Sequence, residues 1–350
     1  MDVSPLAEAL ERSAAADEFS GVVRVDQGGR TLLAEGYGLA SRTWLVPCRM
    51  DTRFDTASIT KLFTAVAVLQ QVAAGEFDLE TSAIDYLGLT ETSISPAVTP
   101  YQLLTHTSGI GDDADEEADE SYADVFIDRP NYAVRATEDF LPQFAHKPPN
   151  FAPGGGCRYC NCSYVLLGLM VERASGMSYR DYVRKRVFGP AGMERSGFFA
   201  MDVVEPDVAE GADPVTREDG SVLAWRRSIY SYPPVGSPDG GAHVTAGDLV
   251  SFHRALLQHD LLNPNLTHQM LTPHESYRQT PGGSHRTGFG FEFLVRPDGQ
   301  VRSYWKEGMN AGASGILKHY PAADVTVVVL SNRENGAWAP IAQIDALVAA

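Results

Sequence analysis

Strand-forming segments lie at both ends of this chain and helix-forming segments in its middle. The simplest fold that satisfies this order is one antiparallel sheet drawn from both termini, with a helical lobe inserted between them. Near the start, SGVVRVDQGGRTLLAEGYGLA alternates apolar and polar residues on either side of Gln27-Gly28-Gly29, which predicts two strands joined by a tight turn. Near the end, GFGFEFLV, VRSYWKE, SGILKHY and DVTVVVLSN are short runs rich in aromatic and β-branched residues, separated by turn-forming sequences such as Pro-Asp-Gly. Between them, SYVLLGLMVERASG and SYRDYVRKRVFGPAGM carry the 3.6-residue period of helices and stop at glycine or proline. A last helix, AWAPIAQIDALVAA, closes the chain. The expected class is therefore α/β of the α+β kind, an antiparallel sheet flanked by helices. The whole chain, 1–350, reads as one catalytic domain of two lobes: 1–75 with 240–350 as the sheet lobe, and 76–239 as the mainly helical lobe.

One helix carries the first chemical signal. KLFTAVAVLQQVAA, from Lys61 to Ala74, is apolar nearly all round and is followed by Gly75, so it predicts a buried helix with a glycine cap. Ser58-Ile59-Thr60-Lys61 sits at its mouth. On a helix, positions i and i+3 share a face, so the Lys61 amine reaches the Ser58 hydroxyl. A desolvated lysine loses affinity for its proton and can act as a base, while the helix start offers N–H groups to a developing oxyanion. Lysine is scarce here: five of the 28 basic residues are lysine and the other 23 are arginine. Arginine does not give up its proton, so a tunable amine has to be lysine. Ser303-Tyr304-Trp305-Lys306 has the same spacing but lies in a strand-like run, where residues three apart point to opposite faces.

The bulk charge narrows the partners. A net charge of -17 speaks against nucleic acid and anionic membrane as main partners, because such partners need a basic face. No run of about 18 consecutive apolar residues predicts a membrane span, and the acidic first residues lack the pattern of a secretory signal, so a cytoplasmic protein is expected. Cys48, Cys157, Cys160 and Cys162 are expected as reduced thiols. The close trio lacks the second ligand pair of a structural zinc site, so no metal is expected. The acidic stretch Asp112 to Asp124 reads as a solvated loop; if it borders a cleft it favours cationic substrates and repels anionic ones.

The blocks FDTASITKLFTAVAVLQ, TPYQLLTHTSGI, YCNCSYVLLGLMVERASGMSYRDYVRKRVFGPAGM and GGAHVTAGDLVSFHRALL, in this order, resemble the β-lactamase-related serine hydrolases, the family that holds class C β-lactamases, DD-peptidases, D-aminopeptidases and certain esterases. The resemblance implies a β-lactamase/transpeptidase-like fold and places Tyr159-Cys160-Asn161 on the family's Y-x-N element. Tyr159 then exchanges the proton of Ser58, with Lys61 and Lys306 supporting its phenolate, and Asn161 orients Lys61 or a substrate amide. Lys306-Glu307-Gly308 matches the family's strand motif, which places the Met309 N–H beside that of Ser58 as an oxyanion hole. Glycine at 308 is expected to let a substrate backbone approach. Glu307 departs from the threonine of β-lactam-binding relatives; it either repels anionic β-lactams or points to the surface. His106 is read as structural, because no aspartate in a triad context accompanies it.

The expected function is acyl transfer through an ester or amide bond on Ser58, without metal or organic cofactor. The substrate is a small ester, amide or short peptide. The rivals are an acyltransferase using the same serine, a non-catalytic binding protein on this fold, and a metal-dependent regulator built on the cysteine trio. No pattern in the sequence sets the oligomeric state.

Overall fold

In the computed structural model, which describes residues 1–115, 118, 120–280 and 282–349, the two ends of the chain form one eight-stranded sheet. Its strands are β1 (Gly21–Gln27), β2 (Arg30–Tyr37), β3 (Glu275–Thr280), β4 (Gly283–Thr287), β5 (Glu292–Val295), β6 (Val301–Asn310), β7 (Ala313–Tyr320) and β8 (Val325–Ser331). They run in the order β2-β1-β8-β7-β6-β5-β4-β3, every pair antiparallel. The β1–β2 turn holds Gly28 and Gly29 at φ 55° and 75°, the left-handed backbone that a two-residue hairpin twisting with its strands requires.

Helices cover both faces of the sheet. On one face Val22, Leu317, Val328 and Leu330 belong to a core built around α2 (Lys61–Ala74), α3 (Asn161–Ser175) and α4 (Ala246–Leu257). On the other, Val23, Val25, Ile316, Val327 and Val329 pack against Leu6 and Leu10 of α1 (Ser4–Ala15) and Ile341 and Ile344 of α5 (Trp338–Ala349). This double cover explains why β8 is apolar without alternation: all seven of its residues are buried.

The α2 segment is the pivot of the fold. Gly75 ends it in the left-handed conformation, and its N–H bonds back to Gln71 and Val72, as a glycine cap does. The 18 residues Ala57–Ala74 have the length and mean hydropathy, 1.3, of a membrane span. Here the same apolarity is spent on the core, where most of the helix is buried. The inserted lobe is not helical throughout. Residues 207–212 return to the sheet side, where Ala209 and Glu210 donate to the carbonyls of Arg53 and Ala40 and Ala212 to that of Asn332. A two-stranded ribbon, Ala212–Thr216 with Val222–Arg227, follows.

Candidate active site

Ser58 stands in a 3-10 turn, Ala57–Thr60, that runs directly into α2. The residue before it, Ala57, has φ 42°, a left-handed backbone that costs a non-glycine residue about 1–3 kcal/mol and persists only when neighbours enforce it. They do: the Ala57 N–H donates to Asp55 Oδ1 at 2.7 Å, and its carbonyl accepts from the Gly241 N–H at 3.3 Å.

Three segments then converge on the Ser58 hydroxyl. Lys61 Nζ lies 3.1 Å from Ser58 Oγ, 2.6 Å from Asn161 Oδ1 and 2.6 Å from the Asp239 carbonyl oxygen. Three acceptors match the three N–H groups of an ammonium. The surroundings thus suit a lysine that donates, where the sequence led us to expect one that could serve as base. Tyr159 Oη lies 2.8 Å from the same Ser58 Oγ. Asn161 bridges: its Oδ1 takes the Lys61 bond and its Nδ2 donates to the Tyr122 hydroxyl.

His106 holds Tyr159 without touching Ser58. Its carbonyl accepts the Arg158 N–H at 2.9 Å and its Nδ1 the Cys160 N–H at 3.2 Å, so the main chain is fixed on both sides of Tyr159. The imidazole lies tilted against the phenol ring, centroids 4.6 Å apart. Burial, then the charges of Lys306 and Lys61, push it well below its ordinary pKa. It is therefore a neutral support.

Lys306 comes in from β6, with Nζ 4.8 Å from the Tyr159 ring centroid, and Lys61 Nζ is 5.0 Å away. Sequence reasoning missed the partner of Lys306. Glu292 on β5 binds its ammonium at 2.8 Å through Oε1 and His285 Nε2 at 2.9 Å through Oε2, and Arg278 Nε donates to His285 Nδ1 at 3.2 Å. Burial alone would raise the Glu292 carboxyl, but Lys306 and His285 outweigh it and hold it below the usual carboxylate range. The available signal was one acid inside the apolar run GFGFEFLV.

Gly308 needs its missing side chain for a reason other than the one expected. A Cβ there would lie 2.2 Å from the Thr56 oxygen and 2.7 Å from the Ser58 nitrogen. The turn bearing the hydroxyl, not a substrate backbone, occupies that space. Glu307 pairs across the sheet with Ile316, of the α1–α5 core, whereas Lys306 pairs with Leu317, of the other. Its side chain is thus exposed on the far face of β6, at the rim of a cleft that also contains Ser58. Met309 is also exposed at this rim.

Two clefts meet at Ser58. One, about 860 Å³, contains His106, Tyr159, Glu292 and Lys306; the other, about 640 Å³, contains Asn161, Asp113 and Asp239; Tyr122 and Met309 border both. The acidic stretch is solvated only in part: residues 118, 120, 121, 123 and 124 are exposed, as expected of a solvated loop, but its start is not. Asp112 is buried, and its two oxygens accept the N–H groups of Asn161 and Cys162 at 2.8 and 2.9 Å, at the start of α3. Asp113 lines the second cleft and Glu120 the first. Residues 116, 117 and 119 of the stretch lie outside the described residues.

The three clustered cysteines do not converge. Cys160 and Cys162 are buried, and burial raises both thiols well above their ordinary pKa; Cys157 faces Thr105 and Thr287. Among the described residues, the side chains close enough to share an ion are Asp112, Asp113 and Cys162, where Asp112 is engaged in holding the start of α3.

Residues 6–350 match the family model described as Beta-lactamase. Esterase EstB of Burkholderia gladioli is 36% identical over 292 residues, 78% of this chain and 73% of that protein. Penicillin-binding protein 4 of Amycolatopsis lactamdurans is 27% identical over 317 residues, 86% of this chain and 76% of its own. The crystal structure of a penicillin binding protein from Bacillus halodurans superposes with a TM-score of 0.87 at 37% identity, covering 96% of this chain and 99% of that one.

Proposed function

This chain belongs to the beta-lactamase family of serine hydrolases, and on that premise we propose that it cleaves small esters, amides or short peptides through an acyl-enzyme on Ser58. The observation that carries the reading is the position of one hydroxyl oxygen, 3.1 Å from a buried lysine nitrogen and 2.8 Å from a phenol oxygen.

The steps follow from the donors and acceptors. Tyr159, as phenolate beside the ammonium groups of Lys61 and Lys306, accepts the Ser58 proton. Ser58 Oγ bonds to the carbonyl carbon, and the negative oxygen is held by the N–H groups of Ser58 and Met309. Tyr159 returns the proton to the leaving oxygen or nitrogen as that bond breaks. Water then attacks the ester, gives its proton to Tyr159, and the bond to Ser58 breaks as Oγ regains a proton. Asn161 and the Asp239 carbonyl hold Lys61 in place throughout.

The test is turnover of p-nitrophenyl acetate by purified protein. Ser58→Ala should abolish it. A variant that retains the wild-type rate would remove Ser58 from the reaction. Amine or alcohol acceptors added to the assay separate hydrolysis from acyl transfer by the products formed.

A further inference from the structure

The acyl-enzyme reading makes the two clefts at Ser58 chemically different. The proton that Tyr159 takes from Ser58 goes to the leaving atom, so the leaving group must lie within hydrogen-bond reach of Tyr159. Tyr159 borders the first cleft and not the second. The tetrahedral carbon carries four groups: Ser58 Oγ, the oxyanion, the leaving atom and the acyl substituent. With the oxyanion at the Ser58 and Met309 N–H groups and the leaving atom toward Tyr159, the acyl substituent is directed to the second cleft, beside Asn161.

The wall of that second cleft is unusual for a surface in water. Tyr132, Met201, Val203, Val204, Tyr230 and Met309 line it, and each is among the exposed large hydrophobic residues of the described chain, Tyr230 at 75% and Val204 at 99% exposure. Contiguous exposed apolar side chains mark a binding surface. The wall is also held in place: Asn131 Nδ2 donates to the carbonyls of Ile229 and Tyr232 at 2.9 and 2.8 Å. Charges in the lining mostly cancel, Arg135 with Asp202 at 2.7 Å, Arg53 with Glu205 at 3.5 Å and Arg227 with Glu210 at 3.6 Å. Asp55, whose Oδ1 accepts the Ala57 N–H beside Ser58, and Asp239 also line the cleft and disfavour an anion there. About 640 Å³ lies in the range that encloses a drug-sized group, far more than an acetyl needs.

We propose, resting on the acyl-enzyme reading, that this cleft is an acyl pocket selecting a bulky, uncharged apolar acyl group, a medium-chain aliphatic or an arylalkanoyl, with the leaving group on the Tyr159 side. Tyr230 and Val204 are its specificity-determining residues.

The experiment uses p-nitrophenyl acetate, butyrate, octanoate and phenylacetate, so that the leaving group is constant. The expected result is a kcat/KM that rises with acyl size, by up to about fourfold per buried methylene. A Tyr230→Ser, Val204→Ser double variant, at two exposed positions where folding is not at stake, should lose roughly tenfold of the octanoate-over-acetate preference. An octanoate rate no higher than acetate, or a preference unchanged in the variant, overturns the acyl-pocket assignment. Each of these leaves Ser58 chemistry standing, because acetate turnover and its loss in Ser58→Ala report on that separately. No acetate turnover at Ser58 removes both.

Discussion

At the scale of single residues, the site divides its work by what each side chain can donate or accept. Lys61 gives three hydrogen bonds and has no acceptor to offer, whereas the phenol of Tyr159 can pass a proton in both directions. Tyr159→Phe keeps the ring that packs on His106 and removes only that oxygen. It should lower kcat by about 10²–10⁴, the usual worth of a positioned acid or base, with little change in thermal stability. An unchanged kcat in steady-state assays would take Tyr159 out of the proton path. The sequence made Ser58, Lys61 and Tyr159 legible, because their spacing and the blocks around them survive as patterns. It hid the Asp239 carbonyl, since a main-chain acceptor leaves no trace in residue type. Tyr122 and the Asp112 support of α3 were hidden too, because they sit in an acidic stretch that looks like a solvated loop.

At the scale of elements, the site depends on close approach between segments that carry no chemistry themselves. Gly168 faces the loop that presents the Asp239 carbonyl; a Cβ on it would lie 2.1 Å from Pro238 Cγ. Gly168→Ala should therefore cost about 1–3 kcal/mol, the usual penalty of overpacking, and weaken acylation by moving the Lys61 acceptor. Urea unfolding midpoints check the first effect and single-turnover rates the second; a variant as stable and as fast as wild type would show that the loop has slack. The strands of the sheet were unequally legible. β1, β2, β7 and β8 announce themselves by apolar content, but ESYRQT and GSHRT, which form the edge strand β3 and its neighbour β4, carry polar side chains that show no apolar alternation. His285 was hidden with them.

At the scale of the whole molecule, the fold buries titratable groups whose neutral form it needs. His253 shares a hydrogen bond of 2.8 Å with the Tyr304 hydroxyl and packs at a tilt on His319, centroids 4.8 Å apart; burial, then His319, lower its pKa to about 3. An unfolded chain protonates this imidazole below about pH 6.5 while the native one stays neutral, so its contribution is complete above pH 6.5 and is lost as pH falls toward 3. Asp112 and Asp113, raised by burial, act in the opposite sense below neutrality. The His253 part is isolated by His253→Gln, which should flatten the stability profile between pH 6 and 4 by on the order of 1.4 kcal/mol per pH unit. Equal slopes in wild type and variant would contradict it. The same fold brings a turn after the first strands, the start of α3 and the end of β6 to one point, and the proposed function stands on that convergence. Its most direct test is peptide mass spectrometry of the protein after reaction with a fluorophosphonate. The account predicts one adduct, on the peptide carrying Ser58, and none in Ser58→Ala; an adduct on any other residue, or labelling that persists in the variant, would contradict it.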